Sequence, residues 1–177
     1  MENAFNIIEA TLEDIPEMAD LFFSHITAHK EYISHGELQM GIAHLVPAEE
    51  KTAPSVAQIA PDAREKWMAY LQWHLEHPEF AFVGKVLMED GKIGGFTVAE
   101  IQEDGDIPFG VICDILVRED LRGRGIGSFL LDKALEWLRQ KDLSGIYLES
   151  GLHNHSAHEY FKRRGFRQVS EIYRLEE

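Results

Sequence analysis

One stretch restricts this chain more than any other. Residues 114–131, Asp-Ile-Leu-Val-Arg-Glu-Asp-Leu-Arg-Gly-Arg-Gly-Ile-Gly-Ser-Phe-Leu-Leu, lead a short apolar run into Gly123, Gly125 and Gly127 on alternate positions, then straight into an amphipathic pattern. Glycines at that density weaken any regular element that contains them, so the segment reads as strand, turn and helix. Such a turn lets backbone N–H groups face inward, and the first turn of the helix adds unpaired donors and a positive dipole end. The product is an anion cradle that suits a diphosphate. Two other glycine-loop readings fail by counting. A dinucleotide fingerprint needs a third glycine three residues after the second, but Ser128 and Leu130 stand there. A Walker-type loop closes on Gly-Lys-Ser/Thr, whereas Gly127 is followed by Ser128 and the next lysine is Lys133.

The rest of the pattern alternates between helical and strand periods. Asn6–Ala10 predicts a short strand, and Thr11 with Asp14 three residues on predicts the start of a helix that apolar spacing carries to about Ser34. Residues 36–60, with Pro47 and Pro54, predict a long loop with little regular structure. Pro61-Asp62 opens a second helix, with Trp67, Tyr70, Leu71, His74 and Leu75 along one face and His77-Pro78 at its stop. Phe80–Met88 and Ile93–Glu103 flank Asp90-Gly91 as a hairpin, and Phe109–Val117 is apolar enough to be a central strand. After the glycine loop come a helix to about Lys141, a strand at 145–149, a helix from Asn154 to Arg164 stopped by Gly165, and a closing strand at 167–175.

At 177 residues the chain predicts one domain over 1–177. No apolar run approaches the ~20 residues that span a bilayer, and the acidic start Met1-Glu2-Asn3 lacks the features of a signal peptide. The single cysteine, Cys113, has no disulfide partner and reads as a small core residue. These features predict a cytoplasmic protein without a membrane partner. The net charge of −14 is uneven: residues 1–117 balance at −15 and residues 118–177 at +1. That disfavours nucleic acid as a partner of the acidic part, whereas an acidic mouth would concentrate a cationic substrate or simply aid solubility.

Two motifs carry a resemblance. Arg122, Gly125 and Gly127 match the Arg-x-x-Gly-x-Gly signature of the GNAT superfamily of acyl-CoA-dependent N-acetyltransferases. Asn154, Ala157, Gly165 and Phe166 match its Asn-x-x-Ala-x-x-x-Tyr-x-x-x-Gly-Phe run. The order of predicted elements is similar to that family over nearly the whole chain. The resemblance implies an α/β (α+β) fold, with a mixed central sheet of about six or seven strands, about four flanking helices and two splayed central parallel strands. It also implies acetyl-CoA as co-substrate. Backbone groups of Ile115, Leu116 and Val117 would pair with the pantetheine arm. The segment Leu121, Arg122, Gly123, Arg124, Gly125, Ile126, Gly127 and Ser128 would take the pyrophosphate, and Asn154, Ala157 and Phe161 would line the arm.

The expected chemistry is direct attack of a primary amine on the thioester. The tyrosine that commonly protonates the departing thiolate falls at Phe161, so either Tyr160 serves or the thiolate leaves unassisted. The family's histone-type glutamate falls at Val111, which leaves Asp114, Glu100 and Glu149 as candidate bases. His25, His29 and Tyr32 are expected on one face of the first helix, lining an acceptor pocket with Glu31, Glu37 and Glu149. No glutamate or third ligand completes a zinc motif around His25 and His29, so no metal is expected. Acceptors of the expected kind are polyamines, aminoglycoside-like compounds or peptide amino groups. A non-catalytic acyl-CoA-binding module, or an enzyme using a longer acyl-CoA, stands as the alternative. The edge at Gln168–Tyr173 would permit a homodimer.

Overall fold

The apolar runs between residues 81 and 117 form three paired strands, the first two buried on both faces. A computed structural model describes residues 6–48, 53–103 and 105–175, so the acidic start Met1-Glu2-Asn3 lies outside the described residues. The described chain forms seven strands and five α-helices. They divide into two compact units, one of residues 1–25 and 64–148, the other of 26–63 and 149–177.

The first unit holds a five-stranded sheet in the order β1-β4-β5-β6-β7, with β1 Ile7–Glu9, β4 Ala81–Leu87, β5 Ile93–Gln102, β6 Phe109–Val117 and β7 Ile146–Leu148. All neighbours are antiparallel except β6 and β7, so the sheet is mixed as expected. Helix α1 (Ile15–Ala28) and helix α3 (Ala63–Glu76) stack Phe22 on Trp67 at 4.6 Å, and Trp67 lies 5.8 Å from Phe96 of β5. The next residue on β5, Gly95, points the other way, toward Leu130 of helix α4 (Ile126–Arg139). Apolar layers therefore cover both faces, with Met18, Phe22, Trp67 and Leu71 on one and Leu130, Leu131, Ala134 and Leu138 among the α4 residues on the other. At the start of α1, Lys85 is buried in an ion pair with Asp14. Burial works against the Asp14 charge, but hydrogen bonds from Lys85 and Thr11 hold its carboxyl below the usual carboxylate range.

Two irregularities in β6 shape the chemistry of this unit. Val98 pairs with Asp114 but Ala99 pairs with Ile112, so Cys113 is the extra residue of a β-bulge. The β7 ladder also ends early, at Ile112 opposite Leu148, while β6 runs on to Val117. The expected splay corresponds to this stretch.

The second unit corrects three expectations. The first helix ends at Ala28 rather than near Ser34, because Ser34 and Glu37 form a capping box that starts a new helix, α2 (His35–Gln39). The predicted loop contains a hairpin of β2 (Ala43–Val46) and β3 (Val56–Ile59), whose cross-strand partners run from Ala43–Ile59 to Val46–Val56. Its glycine and prolines are punctuation between short elements. Helix α5 (His155–Arg163) forms as expected, capped by the Asn154 side chain, which accepts from the Ala157 amide at 3.4 Å. The closing strand over 167–175 does not form. A strand needs an edge to pair with, and here Gln168 bonds locally to Ser170 and Glu171 while Val169, Ile172, Tyr173 and Leu175 stay exposed. The segment Gln168–Tyr173, the expected homodimer edge, is not in a strand.

Candidate active site

The bulge in β6 turns Cys113 and Asp114 toward side chains from β5 and α3. The phenol of Tyr70 donates to Asp114 Oδ2 at 2.9 Å, and the Thr97 hydroxyl donates to the Asp114 carbonyl at 3.0 Å, fixing both ends of that residue. One turn along α3, His74 is buried against β5, its Nδ1 2.8 Å from the Tyr70 carbonyl and its Nε2 2.7 Å from Glu100 Oε2. The other Glu100 oxygen accepts from Gln102 Nε2 at 2.7 Å. Both ring contacts are to oxygens, the Tyr70 carbonyl and the Glu100 carboxylate.

The two carboxylates thus differ in kind. Burial pushes the Glu100 carboxyl up, but the hydrogen bonds from His74 and Gln102 outweigh it and hold the group below the usual range. A base so stabilised is reluctant to take a proton. Asp114 instead faces a phenol, which burial and the Asp114 charge push well above the ordinary tyrosine range, so Tyr70 stays neutral and donates. Burial, with the charges of Glu100 and Asp114 behind it, likewise pushes the Cys113 thiol well up and keeps it protonated. Of the catalytic expectations, the structure brings Asp114 and Glu100 together. Tyr70 and His74 join them, although the sequence pattern by itself places both on the packing face of α3. Their i, i+4 spacing on a sheet-facing stripe is the signal that could have found them.

The glycine loop lies at the end of β6. The buried Leu121 closes a 3-10 turn, and Gly123 and Gly125 adopt left-handed backbone with φ of 76° and 85°. A Cβ at either would meet nothing within 4 Å, so packing does not require these glycines; the backbone path does, and it leaves open space above the loop. Gly125 is the N-cap of α4 and no side chain caps it, leaving the first-turn amides around Ile126, Gly127 and Ser128 aimed out of the helix end. Arg122 and Arg124 are exposed beside them. The Arg122 guanidinium reaches back to the Val117 carbonyl at 3.3 Å and donates to His25 Nδ1 at 3.1 Å. Ile115, Leu116 and Val117 occupy the length of β6 beyond the β7 ladder.

The remaining candidates other than His25 lie in the second unit. His25, His29 and Tyr32 do not share one helix face, because α1 stops at Ala28 and His29 begins a separate 3-10 turn. There His29 stacks on Tyr32 at 4.9 Å and lies 3.4 Å from Glu31. Glu149 accepts from the Gly36 amide at 2.8 Å, with His35 at 3.8 Å. On α5, Tyr160 and Phe161 are both half-buried with rings 5.3 Å apart, on neighbouring positions that a helix turns by about 100°.

Sequence and structure comparisons identify the family and the fold. The sequence model of the Acetyltransferase (GNAT) family matches residues 44–166. An uncharacterised N-acetyltransferase of Methanocaldococcus jannaschii is 32% identical over 109 residues, which are 59% of this chain and 47% of that protein. The chain thus spans about half the length of that relative. N-alpha-acetyltransferase 30 of Schizosaccharomyces pombe is 27% identical over 133 residues, 73% of this chain and 87% of that protein. Among solved structures, AAC(6')-Iy in complex with the bisubstrate analogue CoA-S-monomethyl-acetylneamine superposes with a TM-score of 0.66 at 15% identity, covering 98% of this chain and 97% of that one. With the family pattern running from β2 to the residue after Gly165, the chain belongs to the GNAT acetyltransferase family.

Proposed function

We propose that residues 1–177 act as a single acetyltransferase domain that moves the acetyl group of acetyl-CoA onto a primary amine of a cationic small molecule or peptide. Asp114 serves as base. The observation that carries this reading is the Tyr70-held Asp114 at the β6 bulge, one residue before the Ile115–Val117 segment and in the same unit as the glycine cradle. Left-handed Gly123 and Gly125 with open space above them fit a diphosphate, as do the uncapped helix end and the exposed Arg122 and Arg124. The names of the relatives point to amine acceptors of both kinds, an aminoglycoside fragment in the AAC(6')-Iy complex and an N-alpha-amino group in the Schizosaccharomyces protein. Among the described residues no helix is long and apolar enough to cross a membrane, which fits the cytoplasmic location we assign.

In the proposed reaction the ammonium of the acceptor gives one proton to the Asp114 carboxylate, directly or through water, and the freed lone pair attacks the thioester carbonyl. The tetrahedral adduct, whose nitrogen still carries two protons, releases one of them to water and collapses to the amide as the C–S bond breaks. The thiolate takes a proton from Tyr160 or from solvent, which is feasible for a leaving group whose acid has a pKa of about 8.5. Glu100, held by His74, contributes negative charge near the acceptor rather than proton transfer.

Thiol release from acetyl-CoA across polyamines, aminoglycosides, amino acids and short peptides tests this, run beside thermal-shift binding of acetyl-CoA. Acceptor-dependent release is expected, falling about 10²-fold in Asp114→Asn with acetyl-CoA stabilisation retained. Full activity in Asp114→Asn would remove Asp114 as the base. Stabilisation without turnover on any acceptor would favour the binding-module reading that Phe161 at the tyrosine position suggests.

A further inference from the structure

The carboxylate, imidazole and thiol beside Asp114 form a set to which the proposed amine attack assigns no proton transfer. His74 Nε2, a Glu100 carboxylate oxygen and Cys113 Sγ lie within 4.8 Å of one another. They come from three different elements, α3, β5 and the β6 bulge. The geometry points to a binding site for a zinc-class divalent cation, ligated by His74 Nε2, Glu100 and the Cys113 thiolate, with a fourth position open.

Three observations support it. Nitrogen, oxygen and sulfur donors in threes are the ligand set of open tetrahedral zinc sites, where ligand atoms stand roughly 3.5 Å apart given bonds of ~2.0–2.3 Å. Reaching that spacing asks the 2.7 Å His74–Glu100 contact to widen, while the thiol already lies within 4.8 Å of both partners. The outer contacts are also those of a metal site. His74 directs Nδ1 to the Tyr70 carbonyl, leaving Nε2 as the ligating nitrogen, and Gln102 holds the Glu100 oxygen that faces away. Finally, the three donors come from α3, β5 and the β6 bulge, so the fold itself brings them within reach of one cation.

The metal site stands independently of the role given to Asp114. Its consequence, that zinc inhibits acetyl transfer by occupying the acceptor side of the same cluster, rests on the function proposed above. Untagged, metal-free protein titrated with Co²⁺ as a spectroscopic probe separates the two. The chain has a single cysteine, so a thiolate-to-cobalt charge-transfer band can only come from Cys113 and is distinct from binding at surface histidines. The expected result is an intense near-ultraviolet band saturating at one equivalent and abolished by one equivalent of Zn²⁺. The band should vanish in Cys113→Ser, and Glu100→Gln should bind Co²⁺ at least 10-fold more weakly. Absence of the band in the wild type, or unchanged Co²⁺ affinity in both variants by equilibrium dialysis, would overturn the site. A protein that shows the band but never transfers acetyl groups keeps the metal site and loses the function proposed for it.

Discussion

At the scale of single residues, what distinguishes Asp114 from Glu100 is the partner each one faces. Both are carboxylates on neighbouring strands, and composition treats them alike. The hydrogen bond with His74 stabilises the Glu100 charge, so Glu100 is a weak proton acceptor, whereas the Tyr70 phenol donates a hydrogen bond to Asp114. A hydrogen bond to a charged group contributes about 1.5–3 kcal/mol. Removing it in Tyr70→Phe should therefore make the Asp114 carboxylate easier to protonate. The proposed mechanism needs that carboxylate ionised, so the acidic limb of the kcat/KM profile should move to higher pH by about one to two units, at 1.36 kcal/mol per unit. A pH-rate series on the two proteins checks this, and an unmoved limb would separate Tyr70 from the base. Asp114 and Glu100 were legible as candidates from their strands. Their ranking was not, because it depends on Tyr70 and His74, which lie 44 and 26 residues away in sequence.

At the scale of elements, the strand, loop and helix from Asp114 to Leu131 were readable because every step is local: a period-2 apolar run, glycines where the backbone turns left-handed, and an amphipathic repeat. Two glycines there have opposite reasons for being glycine. Gly125 has a φ of 85° and open space where a Cβ would be, so Gly125→Ala should cost only the left-handed penalty, about 1 kcal/mol of stability. It should nevertheless weaken acetyl-CoA binding at least tenfold, since the methyl group stands where the diphosphate is proposed to lie. Gly95 is the reverse. A Cβ there would stand 2.7 Å from the Leu116 carbonyl, so Gly95→Ala should lose about 2 kcal/mol by overpacking, with the loop unchanged. Urea midpoints and acetyl-CoA thermal shifts on both variants distinguish these outcomes. The elements that were misread, α2, the β2–β3 hairpin and the absent closing strand, are short or depend on a distant edge, and there a pattern in the chain has no local partner to confirm it.

At the scale of the whole molecule, the charge partition leads to a further expectation. Residues 1–117 balance at −15 and the segment bearing the cradle at +1, so a polycationic acceptor should be drawn by long-range attraction that salt screens. For such an acceptor kcat/KM should fall at least roughly threefold between about 0.05 and 0.5 M salt, as steady-state rates would show; a flat profile would leave the acidic balance to solubility. By itself the sequence determined the family, the mixed α/β architecture and the cradle, since these rest on motifs in which each residue acts on its near neighbours along the chain. Only the tertiary structure decided that the β6 bulge turns Cys113 and Asp114 toward Tyr70, His74 and Glu100, because proton affinity and ligand geometry are set by groups that folding alone brings within hydrogen-bonding distance.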